Sequence, residues 1–169
     1  MSKPLLTPHA SFPPASLMRR LAAMFYDSLL CLALIMVITL AYQQIGLRLW
    51  YGGVQLQHLA ESGALDKDPL LSSLLLCSLF GFFALFWTKN GQTLGMQVWR
   101  IRVQNADGTA IDLWQALLRF LVAIPSLACL GLGYLWIMFN QSKRSWSDIY
   151  SESQIVQLPK DAYKTRPQA

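Results

Sequence analysis

Three apolar runs separated by polar stretches organise the chain. The first covers residues 21–42 and is broken only by Asp27. The second covers 70–87 and carries no charge, and the third covers 113–139 with Arg119 and Pro125 inside it. About 20 apolar residues in an α-helix cross a hydrocarbon core about 30 Å thick, so each run predicts a membrane segment. Between the first two, residues 43–69 contain Gly46, Gly52, Gly53 and Gly63 and read as a loop. Leu49, Trp50, Tyr51, Leu56 and Leu59 mark part of that loop as interfacial, since Trp and Tyr favour the headgroup level.

After the second run the period changes. Val98, Arg100 and Arg102 alternate with Trp99, Ile101 and Val103, the two-residue repeat of a strand, and Asn105, Ala106, Asp107 and Gly108 supply a turn. A single strand cannot satisfy its own backbone, and residues 153–158, with Ile155 and Leu158, are the best partner. Asp112 followed three residues later by Gln115 reads as the cap of a helix opening the third run. That run has two geometries. As one straight helix it crosses and puts the tail on the far side. Broken near Pro125, Gly131 or Gly133, it becomes two short helices that enter and leave from one side, a re-entrant hairpin. Charge placement and the strand pairing favour the second. The expected architecture is an all-α membrane protein: a small bundle of three to four hydrophobic helices with a short cytoplasmic hairpin-like strand pairing.

Composition agrees with that class. Of 169 residues, 54% are hydrophobic and only 14% charged, and the mean hydropathy is +0.35. The net charge of +5 would suit nucleic acid on a soluble surface, but its distribution suits a membrane instead. Lys3, Arg19 and Arg20 precede the first run without an acid among residues 1–20. The tail after Phe139 holds Lys143, Arg144, Lys160, Lys164 and Arg166 against Asp148, Glu152 and Asp161. Under the positive-inside rule both termini are expected on the cytoplasmic face of the plasma (inner) membrane. The bilayer is then the partner, and nucleic acid is not. Pro4, Pro8, Pro13 and Pro14 predict a flexible leader over 1–16, ahead of a membrane domain over 17–158 and a flexible tail over 159–169.

Little points to catalysis. Cys31, Cys77 and Cys129 fall one per apolar run with no CxxC spacing, and His9 and His58 have no evident second ligand. No metal, cofactor or enzymatic activity is expected. The charges inside the apolar runs are more informative. An aspartate near the centre of a membrane helix costs about 2.5 to 3.5 kcal/mol on insertion scales, so Asp27 must face protein or water. Arg20 lies seven residues before it on the same helix face, and Arg119 is expected at similar depth. A bidentate pair between Asp27 and Arg119 would remove most of both penalties. Asp27 is then either a pairing residue that locks helices together or a titrating, cation-binding carboxylate. Asp148, in KRSWSDIYSES, reads as the polar residue of a short interfacial helix with Trp146, Ile149 and Tyr150.

Three blocks carry a family likeness. RRLAAMFYD at 19–27, TLGMQVWRIRVQNADGTAIDLWQALLRFLV at 93–122 and GLGYLWIMFNQSKRSWSD at 131–148 resemble the signatures of the RDD family of small membrane proteins. The likeness covers about residues 17–158 and puts Arg20, Asp27 and Asp148 at the arginine and two aspartates that name the family. The chain departs from the pattern at Met96, where lysine is usual, at Ser147, where histidine is usual, and at Glu152 and Ser153, where Gly-Thr is usual. The resemblance implies transport of a small ligand, with cation/proton exchange among the suggestions. Arg20, Asp27, Arg119 and Asp148 are the expected polar cluster along the ligand path. Three or four short helices enclose little volume, so a homo-oligomer is expected. The alternative is a membrane scaffold or assembly factor whose charges only hold helices together.

Overall fold

The computed structural model describes residues 5–6, 11–51, 58, 61 and 68–160. The first apolar run forms α1 (Leu17–Ala41). It continues through a π-helical stretch, Tyr42–Leu47, into a single turn, α2 (Arg48–Tyr51). The second forms α3 (Pro69–Lys89). Asp68 starts that helix by accepting from Leu70 N at 2.9 Å and Leu71 N at 3.4 Å, which satisfies donors the first turn leaves free. The Tyr42 hydroxyl also donates to Asp68, at 2.6 Å, and holds this exposed carboxyl below the usual range. Leu17–Ile45 and Pro69–Lys89 are long and apolar enough to cross a membrane. Leu29, Leu32, Met36, Leu40, Leu70 and Leu76 are exposed along them, side chains suited to lipid rather than water.

Downstream of α3 come α4 (Leu94–Val98), β1 (Ile101–Asn105) and α5 (Leu113–Ala128). They are followed by α6 (Leu132–Leu135), a 3-10 turn at Trp136–Met138, α7 (Trp146–Tyr150) and β2 (Ser153–Gln157). The expected capping box of Asp112 and Gln115 opens α5. The chain divides into two compact units, one of residues 28–81 and one of residues 1–27 together with 82–169.

The expected strand pairing is present, but the first strand is shifted along the chain: Val98 ends α4, Trp99 and Arg100 form a turn, and Asn105, expected in the turn, closes β1. β1 and β2 run antiparallel in the register Ile101↔Gln157 to Asn105↔Ser153, joined by the whole third run rather than by a tight turn. Ile101, Val103, Val156 and Leu158 are buried there with Ala110, Ile111 and Ala116. The leader, expected to be flexible, is paired where it is described. Ala15 N donates to Ile155 O at 2.9 Å and Gln157 N donates to Pro13 O at 2.8 Å, so Pro13 and Ala15 line the outer edge of β2. Leu6 and Ala15 are buried. Proline suits this place, because an edge residue needs no outward N–H.

The third run is not one straight helix. It breaks at Cys129–Gly131 (φ is +55° at Leu130 and +78° at Gly131), and its halves meet at 107°. Pro125 does not make the break: α5 carries it and runs on until Cys129 N closes the last bond on Pro125 O. Gly131 adopts a left-handed conformation that costs glycine nothing, and the turn follows there. The chain then returns to the start of α5, where Gln115 Nε2 donates to Ser151 O at 2.8 Å. By length and composition the candidate membrane segments are therefore two long helices, or three if the bent pair counts as one. The interfacial residues Leu56 and Leu59, the side chains of Trp50 and Tyr51, His9 and the tail beyond 160 lie outside the described residues.

Candidate functional site

Asp148 sits in a turn of its own making. Ser145 Oγ accepts from Asp148 N at 3.4 Å while Asp148 Oδ2 accepts from Ser145 N at 3.0 Å, a capping box that starts α7 and fixes the carboxylate's direction. The return of the chain to α5 then carries this turn into the protein, and Asp148 is 0% exposed. Two guanidiniums meet it. Arg20 Nη1 donates to Oδ2 at 2.5 Å, and Arg119 Nη1 lies 2.8 Å from Oδ1. Burial opposes the charge on Asp148, but Arg119 and then Arg20 outweigh it, so the carboxyl is held below its ordinary value.

Arg20 does more than balance charge. Its Nε donates to Ala15 O at 3.2 Å, and its Nη2 donates to Lys143 O at 3.0 Å and Ile155 O at 3.3 Å. One side chain on α1 thus ties the leader, the loop before α7 and β2. Arg119, on the second turn of α5, also donates from Nη1 to Ser153 Oγ and lies over the Trp87 ring at 5.4 Å. Arg144 donates to Ser153 O at 2.9 Å and to Asp148 O at 3.2 Å.

Asp27 has a different setting. Its Oδ2 accepts from Thr93 Oγ1 at 2.5 Å and its Oδ1 from Gly95 N at 2.9 Å. Thr93 is the N-cap of α4, and its hydroxyl oxygen in turn accepts from Met96 N at 3.2 Å. With that oxygen engaged by Met96 N–H, the hydroxyl proton is directed at Asp27. Gly95 is needed here, since a Cβ would lie 2.5 Å from Ala23 O and 2.8 Å from Asp27 Oδ1.

The expected pair between Asp27 and Arg119 is therefore corrected. Arg20, Arg119 and Asp148 come together, while Asp27 stands apart, and among the described residues no cation pairs with it. Seven residues along α1 carry Asp27 about 10 Å beyond Arg20, where the free N–H groups of the first turn of α4 receive it. Both arginines instead point to the carboxylate that α7 delivers. Thr93, Gly95, Arg144, Ser145 and Ser153 belong to these settings without having stood out as site residues. The Ser145-x-x-Asp148 spacing was the readable signal for the capping box. Nothing local in the sequence tells which loop folds against Asp27.

A family model, that of the RDD family, matches residues 14–152. No curated protein and no solved structure matches the chain.

Proposed function

The chain belongs to the RDD family and is a membrane protein; from that premise we propose that it moves a small cation or proton across the plasma membrane, with Asp27 as the group that carries it. One observation supports this above the rest. Asp27 is buried in a long apolar helix, and its hydrogen-bond donors, Thr93 and Gly95, are both neutral. A carboxylate whose charge no guanidinium cancels still has a reason to take up a proton or a cation, at a depth where intramembrane acids mark pathways. Asp148 has no such reason, because two arginines already balance it. Its part in the pathway is to hold the surrounding elements in place. The leader, residues 88–112 and the tail face the cytoplasm, following the basic residues. A homo-oligomer encloses the path, and no step requires catalysis.

A second reading rests on the other aspartate. The guanidiniums of Arg20 and Arg119 are both engaged by Asp148 and tie five elements together, as a membrane scaffold requires. Flux separates the readings. Wild-type chain in proteoliposomes under imposed sodium, potassium and pH gradients should pass at least one of these ions. Folded Asp27→Asn should pass none. A folded wild type silent under every gradient would sink the transport reading and leave the scaffold. Unchanged flux in Asp27→Asn would remove Asp27 from the path.

A further inference from the structure

Arg119 has a donor to spare. The residue is 3% exposed, its Nη1 is committed to Asp148 and Ser153, and its Nε is buried with no hydrogen-bond partner among the described residues. The Trp87 ring, on the last turn of α3, lies 5.4 Å from the Arg119 guanidinium carbon, and Trp87 Nε1 is likewise buried without an acceptor. Guanidinium and indole can only donate, so whatever satisfies this pair must accept. The charge balance narrows the class. Two buried arginines, Arg20 and Arg119, meet one buried carboxylate, Asp148, so positive charge is in excess there.

We infer that Arg119 and Trp87 form an anion site, in which the oxygens of a phosphate group accept from Arg119 Nε and Trp87 Nε1. A phosphate oxyanion suits the planar donors of a guanidinium better than a single neutral acceptor does, and it offsets the excess charge as well. Both residues lie near the ends of membrane segments, Trp87 two residues before exposed Lys89 and Arg119 in the second turn of α5. The phosphate is therefore that of a lipid headgroup or a free phosphate ion. Trp87 is half-buried and lies over the guanidinium, so a phosphate that comes from the Trp87 side needs the indole to move.

The test uses the full chain in a phosphate-free maltoside micelle. Its thermal unfolding midpoint is followed while inorganic phosphate is added in one arm and phosphatidylglycerol in the other. Arg119→Ala is a poor probe, because it also strips Asp148 of a partner. Trp87→Phe removes the N–H while leaving an aromatic ring beside the guanidinium, and because it also shortens the side chain the comparison is made on half-saturation, not on the unfolding midpoint itself. The expected result is a saturable rise of the midpoint in wild type, with half-saturation at least threefold higher in Trp87→Phe. A rise in the first arm assigns the site to free phosphate, and a rise in the second alone assigns it to lipid. No saturable rise in either arm, or the same half-saturation in Trp87→Phe, overturns the site and leaves the two donors to water.

Discussion

The two family aspartates differ in almost everything but burial. Asp148 is 0% exposed and Asp27 6%, yet the first meets two guanidiniums and the second a hydroxyl and a backbone N–H. The arginines on Asp148 come from α1 and α5, far from it in sequence, so its ion pairs close long loops and join separate elements. The donors on Asp27 come from one short segment, residues 93–95, which it receives onto the side of α1. A buried carboxylate with cationic partners is spent on cohesion. One with neutral partners keeps its charge uncancelled, and that difference in partners, rather than depth, separates a structural acid from a candidate for exchange.

Removing the charge at Asp148 is the strongest way to test this contrast. Asp148→Asn keeps the size of the side chain but leaves Arg20 and Arg119 buried without a counter-charge. The expected loss is about 3 to 5 kcal/mol, read from unfolding in detergent micelles or as a collapse in abundance. A loss under about 1 kcal/mol would mean the guanidiniums are not held by this pair, and the contrast would fail. Acid gives the same test without mutation. The folded carboxyl lies below 3.8, the ordinary aspartate value. Its contribution is therefore complete above that value and disappears as the pH falls through the lower, folded one. Wild type should lose stability on acidification below 3.8, and the Asp148→Asn protein should lack this component of the slope.

The contrast also explains what the sequence made legible. Hydrophobic runs predict α1 and α3 because lipid-facing helices need apolar side chains on every exposed face, a signal spread over many residues. The alternation at residues 98–103 and the outline of 153–158 point to β1 and β2, although residues 98–100 fall in α4 and a turn and only 101–103 of that alternation lie in β1. Arg20, Arg119 and Asp148 could be singled out as charges in apolar or interfacial surroundings. Their pairing depends instead on the bend at Leu130 and Gly131, which returns α7 to α5. That bend follows a backbone conformation that Gly131 allows, while Pro125, the more obvious breaker, lies inside a continuing helix. Asp27 was visible as an anomaly, but its partners were not. Thr93 and Gly95 are ordinary turn residues, and only their position beside Ala23 and Asp27 gives them a role.

A smaller effect is expected on the Asp27 side, where fit rather than charge balance is at stake. Gly95→Ala places a methyl group against Ala23 O and Asp27 Oδ1. The Ala23 carbonyl is backbone and the Asp27 carboxylate is held by Thr93 and Gly95, so little room is left to yield and the expected loss is about 1 to 3 kcal/mol. Amide exchange should rise first in α4, because its docking on α1 is what the methyl disturbs. A Gly95→Ala protein as stable as wild type, with unchanged exchange in α4, would show that Asp27 does not hold that segment. Asp27→Asn retains one acceptor oxygen for two donors and should cost less than Asp148→Asn while abolishing flux. Equal costs at the two aspartates would erase the distinction between them.

The smallest effect has the opposite sign. Glu152 is an exposed residue at φ +53°, a left-handed conformation that costs a side chain about 1 to 2 kcal/mol, and it lies where the family pattern has glycine. Glu152→Gly relieves that strain but gives the unfolded chain more freedom, which returns about 0.4 to 1 kcal/mol. The net expectation is a gain of about 0.5 kcal/mol in the same unfolding measurement. Its location makes the result informative. Residue 152 sets the turn into Ser153, whose hydroxyl takes Arg119 and whose carbonyl takes Arg144. A gain of the expected size means that the turn is strained only in its backbone and already holds both arginines well. A loss means that the glutamate's stiffer backbone fixes Ser153 in place, so that the Asp148 side of the molecule depends on this turn as well as on its ion pairs.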